Sequence, residues 1–216
     1  MARETEIKLR ITDVAVFRSA LAKLGARNVA RGGGRVHEQN ILFDTATNQL
    51  QQRGQLLRIR TETRAAEGKG RKQTQRVVLT FKRPVGSVDE GVESRGAHKV
   101  REEIELVVSD GEALARIFEG LGMRPWFRYE KFRSTYRLPK AQGWAEGLLI
   151  EVDETAIGTF VELEGPGSAI DRAAEALGFA KRDYVVANYF ALYREECRRR
   201  REEPGDMLFA KENPRL

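Results

Sequence analysis

Apolar and polar residues alternate with a period of two in eight short segments of the chain. Because successive side chains of a strand point to opposite faces, this alternation predicts β-strands that each have an apolar and a polar face. The strands follow one another through turns or single helices, which favours an antiparallel closed barrel over a βαβ sheet. The predicted strands are 4–11, 40–44, 56–62, 76–82, 101–108, 129–138, 148–154 and 160–164.

Amphipathic helices are predicted between some of these strands. The first two open on an aspartate and end before a glycine, which is the usual pattern of a capped helix. Two further stretches, 63–75 and 85–100, are poor in apolar residues and are predicted to be mobile loops that are able to fold over a ligand. The predicted helices are 13–24, 110–121, 168–178 and roughly 184–200.

Ionic residues occupy the polar face of every long predicted strand. The helices need an apolar surface, so we expect them to cover the outside of the barrel and the ionic faces to line its interior. Each unpaired buried ion costs on the order of several kcal/mol, so such an interior must be hydrated and must hold a charged ligand. The alternative is that these residues form interstrand ion pairs without a ligand. In the first strand the ionic face is Glu4, Glu6, Lys8 and Arg10, and the apolar face is Ile7, Leu9 and Ile11.

The composition restricts the chemistry of that ligand. One cysteine excludes a disulfide framework, and two histidines leave little for an imidazole site, so a metal must be held by oxygen, which indicates Mg²⁺ or Mn²⁺. The formal charge of +6 is compatible with an anionic partner. Carboxylates suit hard cations and Lys or Arg side chains suit phosphate oxygens, so a polyphosphate with its metal satisfies both sets.

The remaining expectations concern the whole chain. No apolar run approaches the 18 or so residues of a membrane span, and the N-terminus is charged, so we expect a cytoplasmic protein with no membrane partner. The strands lack the interleaved aromatic residues of an RNA-binding sheet, so no nucleic acid is expected. We expect one domain over residues 1–200 with a tail at 201–216 whose last dozen residues are frayed, in a monomer or homodimer.

An ordered series of motifs identifies a family resemblance. It begins with the E-x-E-x-K of Glu4, Glu6 and Lys8 and continues through LFDTATNQL, LLRIR, LTFKRP, REEIEL, EKFRSTY and GTFVELEG, covering about residues 2–193. This series resembles the CYTH superfamily, also called the triphosphate tunnel metalloenzymes, which joins CyaB-type class IV adenylate cyclases and thiamine triphosphatases. The resemblance implies an eight-stranded antiparallel tunnel that binds Mg²⁺ or Mn²⁺ through acidic residues and a triphosphate through basic ones.

The resemblance also implies roles for individual residues. The sequence departs from the family at Phe43, where members often have a tyrosine, and in the C-terminal stretch, where Lys181 and Arg182 are only candidates for a basic tunnel residue. The implied main metal ligands are Glu4, Glu6, Glu162 and Glu164, the supporting acidic residues are Glu103, Glu105 and Asp153, and the implied triphosphate ligands are Lys8, Arg58, Arg60, Lys82, Lys131 and Arg133. The predicted catalytic residues are Glu4, Glu6, Lys8 and Lys131.

The functional prediction is a metal-dependent hydrolase of tripolyphosphate, thiamine triphosphate or a nucleoside triphosphate. A class IV adenylate cyclase is the first alternative, and a non-catalytic polyphosphate or nucleotide binding protein is the second. Hydrolysis is preferred because it needs a phosphate clamp and a water, whereas cyclisation also needs a specific base and a fitted ribose.

Overall fold

The structure of the protein is a computed structural model that describes residues 2–29, 34–65, 73–85 and 97–210. Its strands are β1 Ala2–Ile11, β2 Arg27–Asn28, β3 Val36–Thr45, β4 Leu56–Arg64, β5 Thr74–Pro84, β6 Lys99–Val108, β7 Met123–Arg137, β8 Leu149–Thr155 and β9 Gly158–Glu164. Its helices are α1 Val14–Lys23, α2 Gln49–Gln52, α3 Gly111–Gly120, α4 Gly167–Ala176 and α5 Tyr189–Arg200. Most of the predicted loop residues, namely 66–72 and 86–96, lie outside the described residues.

Eight of the strands form a closed antiparallel barrel. Their order is β7-β3-β4-β5-β6-β1-β9-β8, and pairing between β7 and β8 closes the sheet. The ninth strand, β2, adds two residues to the edge of β7. All named pairings are antiparallel, so the predicted eight-stranded barrel of the α+β class is confirmed.

The outer faces of β1, β8 and β9 form an apolar core with two helices. Ile7 and Leu9 are fully buried there, and the alternation that points them outward points Glu6 and Lys8 into the barrel. Phe17 of α1 and several residues of α4 pack on this surface. A second helix-covered surface lies under α3, around Phe43, Ile59 and Phe118. The prediction that helices cover the apolar strand faces is confirmed at these two surfaces.

The first predicted helices have the expected ends. Asp13 accepts hydrogen bonds from the backbone amides of Ala15 and Val16, and Asp110 accepts one from Ala113, so both aspartates are N-caps. Gly25 and Gly122 follow the two helices with φ of 69° and 81°, a conformation that glycine adopts without strain.

One end of the barrel is filled by α5 and the chain that follows it. Lys8 and Val185 exchange backbone hydrogen bonds, so the segment before α5 extends the sheet beside β1 and directs Tyr189 into the barrel. Tyr189 packs there in an apolar cluster with Phe160, Leu192 and Met207. The barrel interior is therefore apolar at this end and ionic elsewhere.

The C-terminal segment is packed rather than frayed. Met207 pairs with the backbone of β7 at residues 128–130 and is 1% exposed, and Phe209 lies against Phe132 with ring centroids 5.2 Å apart. The expectation of a frayed end is therefore wrong for residues 205–210, while 211–216 lie outside the described residues.

Two further expectations about strand faces need correction. Arg10 shares the face of Glu6 and Lys8 but lies past the rim of the barrel, where it is exposed and stacks on Phe160 at 4.7 Å. On β6, Ile104 and Leu106 are 42% and 58% exposed, and no helix among the described residues covers them. Among the described residues, no helix is both long and apolar enough to cross a membrane.

Candidate active site in the barrel interior

A cavity of about 270 Å³ lies inside the barrel among the ionic strand faces. Every strand of the closed barrel contributes to its wall, because each turns alternate side chains inward. The sequence-predicted site residues on this wall are Glu4, Glu6, Lys8, Arg58, Arg60, Lys82, Glu103, Glu105, Lys131, Arg133, Glu162 and Glu164. Tertiary structure therefore brings together residues that are up to 160 positions apart in the chain, from Glu4 to Glu164.

Asp153 is the one predicted site residue that does not line this cavity. It is completely buried behind the wall, where Oδ1 accepts a hydrogen bond from Nε of Arg133 at 2.7 Å. Its Oδ2 accepts from Nζ of Lys131 at 2.9 Å and from the hydroxyl of Tyr189 at 2.6 Å. Both oxygens are thus engaged, so this geometry favours a role in orienting the two cations over a role as a supporting metal ligand.

Carboxylates crowd one part of the cavity. Burial, followed by repulsion from Glu4, Glu151 and Glu103, raises the pKa of Glu164 to about 8. Within the described residues Glu164 forms no ion pair. Burial also raises the pKa of Glu151 to about 7, although Arg133 beside it acts in the opposite direction. This part of the wall therefore carries more carboxylates than the neighbouring cations neutralise, which is the condition that a bound divalent cation relieves.

Several of the predicted phosphate ligands are paired with predicted metal ligands. Nζ of Lys82 lies 2.6 Å from Oε2 of Glu4 and 3.1 Å from Oε1 of Glu103. Nζ of Lys8 lies 2.9 Å from Oε1 of Glu162. These pairs neutralise part of the buried charge of both sets, which lowers the cost of an ionic interior in the folded protein.

The arginines of β4 are held by contacts to β3, β5, β6 and β7. Nη1 of Arg58 donates to the hydroxyl of Tyr129 at 3.0 Å, and Nη2 of Arg60 donates to Oε1 of Glu105 at 3.0 Å. Thr80 donates to the same Glu105 oxygen at 3.0 Å. Burial opposes the charge of Glu105, but Arg60, this hydrogen bond and Arg58 together lower its pKa.

The carboxylates that line the cavity form its acidic wall, which consists of Glu4, Glu6, Glu103, Glu105, Glu151, Glu162 and Glu164. Carboxylate oxygens are suitable ligands for a hard divalent cation, and within the described residues this wall contains no histidine or cysteine. No group of three acidic, histidine or cysteine side chains in the described ranges has the geometry to hold a metal ion as the side chains stand. Two of the carboxylates, Glu4 and Glu162, instead lie against the ammonium groups of Lys82 and Lys8. The site fits a metal in the chemistry of its donor atoms.

Sequence reasoning did not assign a role to several residues on or behind the wall. Arg101 and Glu151 line the cavity. Arg101 stands in the REEIEL motif but received no role, and Glu151 lies outside the motifs of the resemblance. Lys99 fell in a predicted loop, yet it lies in β6 and its Nζ is 2.8 Å from Oε1 of Glu6. Burial lowers the pKa of Lys99 to about 8, although Glu6 acts against this. Glu38 was missed because β3 begins four residues earlier than predicted.

The C-terminal basic candidates are outside the site. Lys181 pairs with Asp171 on the barrel exterior at 3.2 Å, and Arg182 has a side chain that is 86% exposed. The residues that the C-terminal stretch contributes to the cavity wall are instead Asn188, Tyr189 and Phe190. Phe43 also points outward, into the cluster under α3, so the inward position of that strand is taken by Leu42.

Comparisons with known proteins agree with this architecture. A candidate adenylate cyclase from Methanocaldococcus jannaschii is 27% identical over 175 residues, which cover 81% of this chain and 83% of the relative. The PH1819 protein from Pyrococcus horikoshii has the same fold, with a TM-score of 0.64 and 20% identity over 89% of this chain and 99% of that one.

A third similar protein has a reported activity. It is an adenylyl cyclase homologue from Hippeastrum, described as having a dominant triphosphatase activity, with 25% identity and a TM-score of 0.52. The matched regions cover 89% of this chain and 96% of that one. Residues 2–181 match the CYTH domain, which is most of the sequence. The chain therefore belongs to the CYTH domain family.

Proposed function

We propose that this protein is a divalent-metal-dependent triphosphatase that hydrolyses a linear triphosphate inside the barrel. One observation carries the proposal: Lys and Arg side chains from β1, β4, β5, β6 and β7 converge on a single cavity that is also lined by carboxylates from β1, β6, β8 and β9. A compact polyanion accompanied by a cation is the ligand that satisfies both sets of charges.

The acidic wall is the proposed metal site. The metal ion would be held by Glu4, Glu6, Glu162 and Glu164, with Glu103 and Glu105 in support. Asp153 lies behind the wall and orients the side chains of Lys131 and Arg133. Oxygen donors suit Mg²⁺ or Mn²⁺. When bound, such an ion supplies neutralisation of phosphate oxygens and a position for the attacking water.

The basic wall is the proposed phosphate clamp. Arg58, Arg60 and Arg133 present guanidinium groups, which bind phosphate oxygens in pairs, while Lys8, Lys82 and Lys131 act as point charges. Phosphoryl transfer passes through a loose transition state whose charge is spread over the oxygens, so holding the chain and neutralising the leaving diphosphate account for most of the catalysis. Burial opposes the charge of Lys8, but Glu162 and Glu6 together raise its pKa, so it is a cation at neutral pH.

Adenylate cyclisation is the second candidate function, and the candidate cyclase of Methanocaldococcus jannaschii favours it. The same clamp would then hold the β and γ phosphates while the ribose hydroxyl attacks the α phosphorus. The triphosphatase activity described for the Hippeastrum homologue supports hydrolysis over this alternative. Hydrolysis also asks less of the site, because a water needs no fitted ribose.

A panel of substrates tests the proposal. Tripolyphosphate, thiamine triphosphate and ATP are each incubated with Mg²⁺ and with Mn²⁺, and phosphate, diphosphate and cyclic AMP are measured separately. We expect phosphate release that chelation of the metal abolishes. Diphosphate released together with cyclic AMP would establish the cyclase instead. Tight binding of tripolyphosphate without any product in either metal would make the protein a non-catalytic binder.

A further inference from the structure

Glu38 is a buried carboxylate that belongs to none of the groups assigned above. It lies on β3 opposite Lys131 of β7 and Glu62 of β4 in the sheet register, and it is only 3% exposed. The alternation of β3 turns its side chain into the barrel, but it does not reach the cavity wall. It therefore stands behind the residues that face the ligand.

Three cations of the proposed phosphate clamp surround this carboxylate. Its Oε2 lies 3.4 Å from Nζ of Lys131 and 4.0 Å from Nη1 of Arg60, and its Oε1 lies 3.7 Å from Nε of Arg133. All three cations line the cavity on their other side. Glu38 is thus the point at which cations from β4 and β7 meet.

The contacts are shared rather than directional. Oε2 of Glu38 has no hydrogen-bond partner among the described residues, although it is fully buried. Burial acts to raise the pKa of Glu38, but Lys131, Arg133 and Arg60 outweigh it and lower the pKa to about 2. The carboxylate is therefore ionised and attracts all three cations without capturing the N–H groups of any one of them.

Glu38 adds a shared attraction to the hydrogen bonds that hold the cations individually, since Arg133 also donates to Asp153 and Arg60 to Glu105. Like charges repel one another, and Glu38 is the anion behind the wall that offsets this repulsion among all three cations at once. Lys131 also donates to Asp153, so its ammonium is held between two buried carboxylates and keeps donor capacity for the cavity. Held in this way, the clamp is organised before the triphosphate arrives, which is the condition for electrostatic catalysis.

We propose that Glu38 is a positioning residue, which aligns Lys131, Arg133 and Arg60 toward the phosphate chain from behind the cavity wall. The proposal rests on the proposed triphosphatase function. Glu38 touches neither the substrate nor the proposed metal site, so its contribution is made through the three cations. It was absent from the sequence-predicted site because the predicted strand began at residue 40, whereas β3 begins at Val36.

The test compares Glu38→Gln with Glu130→Gln. Gln keeps the shape of the side chain and removes the charge, while Glu130 is next to Lys131 in the chain but pairs with His37 on the other face of β7. We expect kcat of the E38Q variant to fall at least tenfold and its Kd for tripolyphosphate without metal, measured by calorimetry, to rise about fivefold. The E130Q variant should keep the wild-type values of both. Glu38→Asp, which retains the charge one methylene farther from the cations, should lie between.

The outcomes separate the two proposals. The positioning role is overturned if kcat of the E38Q variant is within twofold of wild type, or if its Kd is unchanged or lower. A lower Kd would mean that Glu38 only repels the phosphate chain, because removing a repelling charge strengthens binding. If wild type binds tripolyphosphate but turns over no triphosphate, the proposed function fails while the Kd comparison still decides the role of Glu38. If wild type neither binds nor turns over, both proposals are rejected. If the E38Q variant does not fold, kcat and Kd are measured for the E38D variant instead. Wild-type values of both in the E38D variant would overturn the positioning role of Glu38.

Discussion

Nζ of Lys82 lies 2.6 Å from Oε2 of Glu4, so a proposed phosphate ligand and a proposed metal ligand neutralise each other across the barrel. Both side chains are buried, at 8% exposure each, and each takes up part of the other's capacity to bind its proposed ligand. Binding of the metal to Glu4 would free Lys82 for phosphate, and binding of phosphate to Lys82 would free Glu4. Metal and phosphate binding are then linked reciprocally through this ion pair.

The Lys82→Met substitution tests this linkage. Without the ammonium group, Glu4 has one fewer competitor, and we expect Mn²⁺ to bind the phosphate-free protein about fivefold more tightly, which corresponds to roughly 1 kcal/mol. Tripolyphosphate affinity should fall at least tenfold. Calorimetric titration with each ligand alone measures both values. Weaker Mn²⁺ binding in the K82M variant would show that Lys82 and the metal do not compete for Glu4.

Glu6→Gln is expected to reduce metal-dependent turnover of tripolyphosphate by at least a hundredfold, about the loss that follows removal of a key electrostatic group. Glu6 accepts from Lys99 at 2.8 Å and faces the cavity, so the substitution removes a charge from the proposed metal site. Steady-state rates with saturating metal provide the measurement. Glu119→Gln, on the exposed side of α3, is the matched control and should keep wild-type rates. Unchanged turnover in the E6Q variant would favour a purely structural role for the interior ion pairs.

Tyr189 is expected to stabilise the closed end of the barrel. Its hydroxyl donates to Asp153 at 2.6 Å, and its ring lies 5.1 Å from Nζ of Lys8 and 5.2 Å from Nζ of Lys131. Tyr189→Phe removes one hydrogen bond to a charged group and should lower the free energy of unfolding by about 1.5–3 kcal/mol. Tyr189→Ala also removes the packed ring and should lower it by about 3–5 kcal/mol, the range of large-to-small core substitutions.

Urea unfolding of the two Tyr189 variants measures these differences. Tyr193→Phe is a suitable comparison, because its hydroxyl donates to the exposed backbone oxygen of Asp206, at 3.2 Å, rather than to a buried carboxylate. Equal stabilities of wild type and the Y189A variant would mean that α5 does not hold the barrel end closed.

Asp171 is expected to make the free energy of unfolding depend on pH under acidic conditions. Burial acts to raise its pKa, but hydrogen bonds from His98, Lys181 and Tyr184 lower it below the usual 3.8. A group whose pKa is lower in the folded than in the unfolded state stabilises the fold above the unfolded pKa, and this contribution is lost as the pH falls through the folded pKa. Asp171→Asn should therefore destabilise the protein at pH 7 by roughly 1 kcal/mol.

The difference between wild type and the D171N variant should narrow as the pH is lowered from about 5 to 3. Urea unfolding at several pH values measures it. A difference that stays constant over this range would assign the effect of the substitution to lost packing rather than to the charge of Asp171. The three partners connect α4 to the start of β6 and to the segment before α5, so this contact also steadies two parts of the cavity wall.

The alternation of residues along the chain predicted the eight barrel strands and most of their inner faces, although it missed β2 and the first residues of β3. Glu6 and Lys8 must point away from Ile7 and Leu9 in any extended strand, and the recurrence of this pattern in every strand leaves the enclosed interior as the place where the charges meet. The motif order then identified the family, because the same charged positions recur in a fixed sequence. These are local properties of an extended backbone, so they are readable without a structure.

Only the tertiary structure decided what surrounds each charge. The depth of Glu38 and Asp153 behind the wall depends on the tilt and register of neighbouring strands, which a single strand does not encode. The entry of Tyr189 into the barrel depends on Val185 pairing with Lys8, and the burial of Met207 depends on a free edge of β7. The pairing of Lys82 with Glu4 arises in the same way, since partners 78 residues apart become neighbours only when the barrel closes.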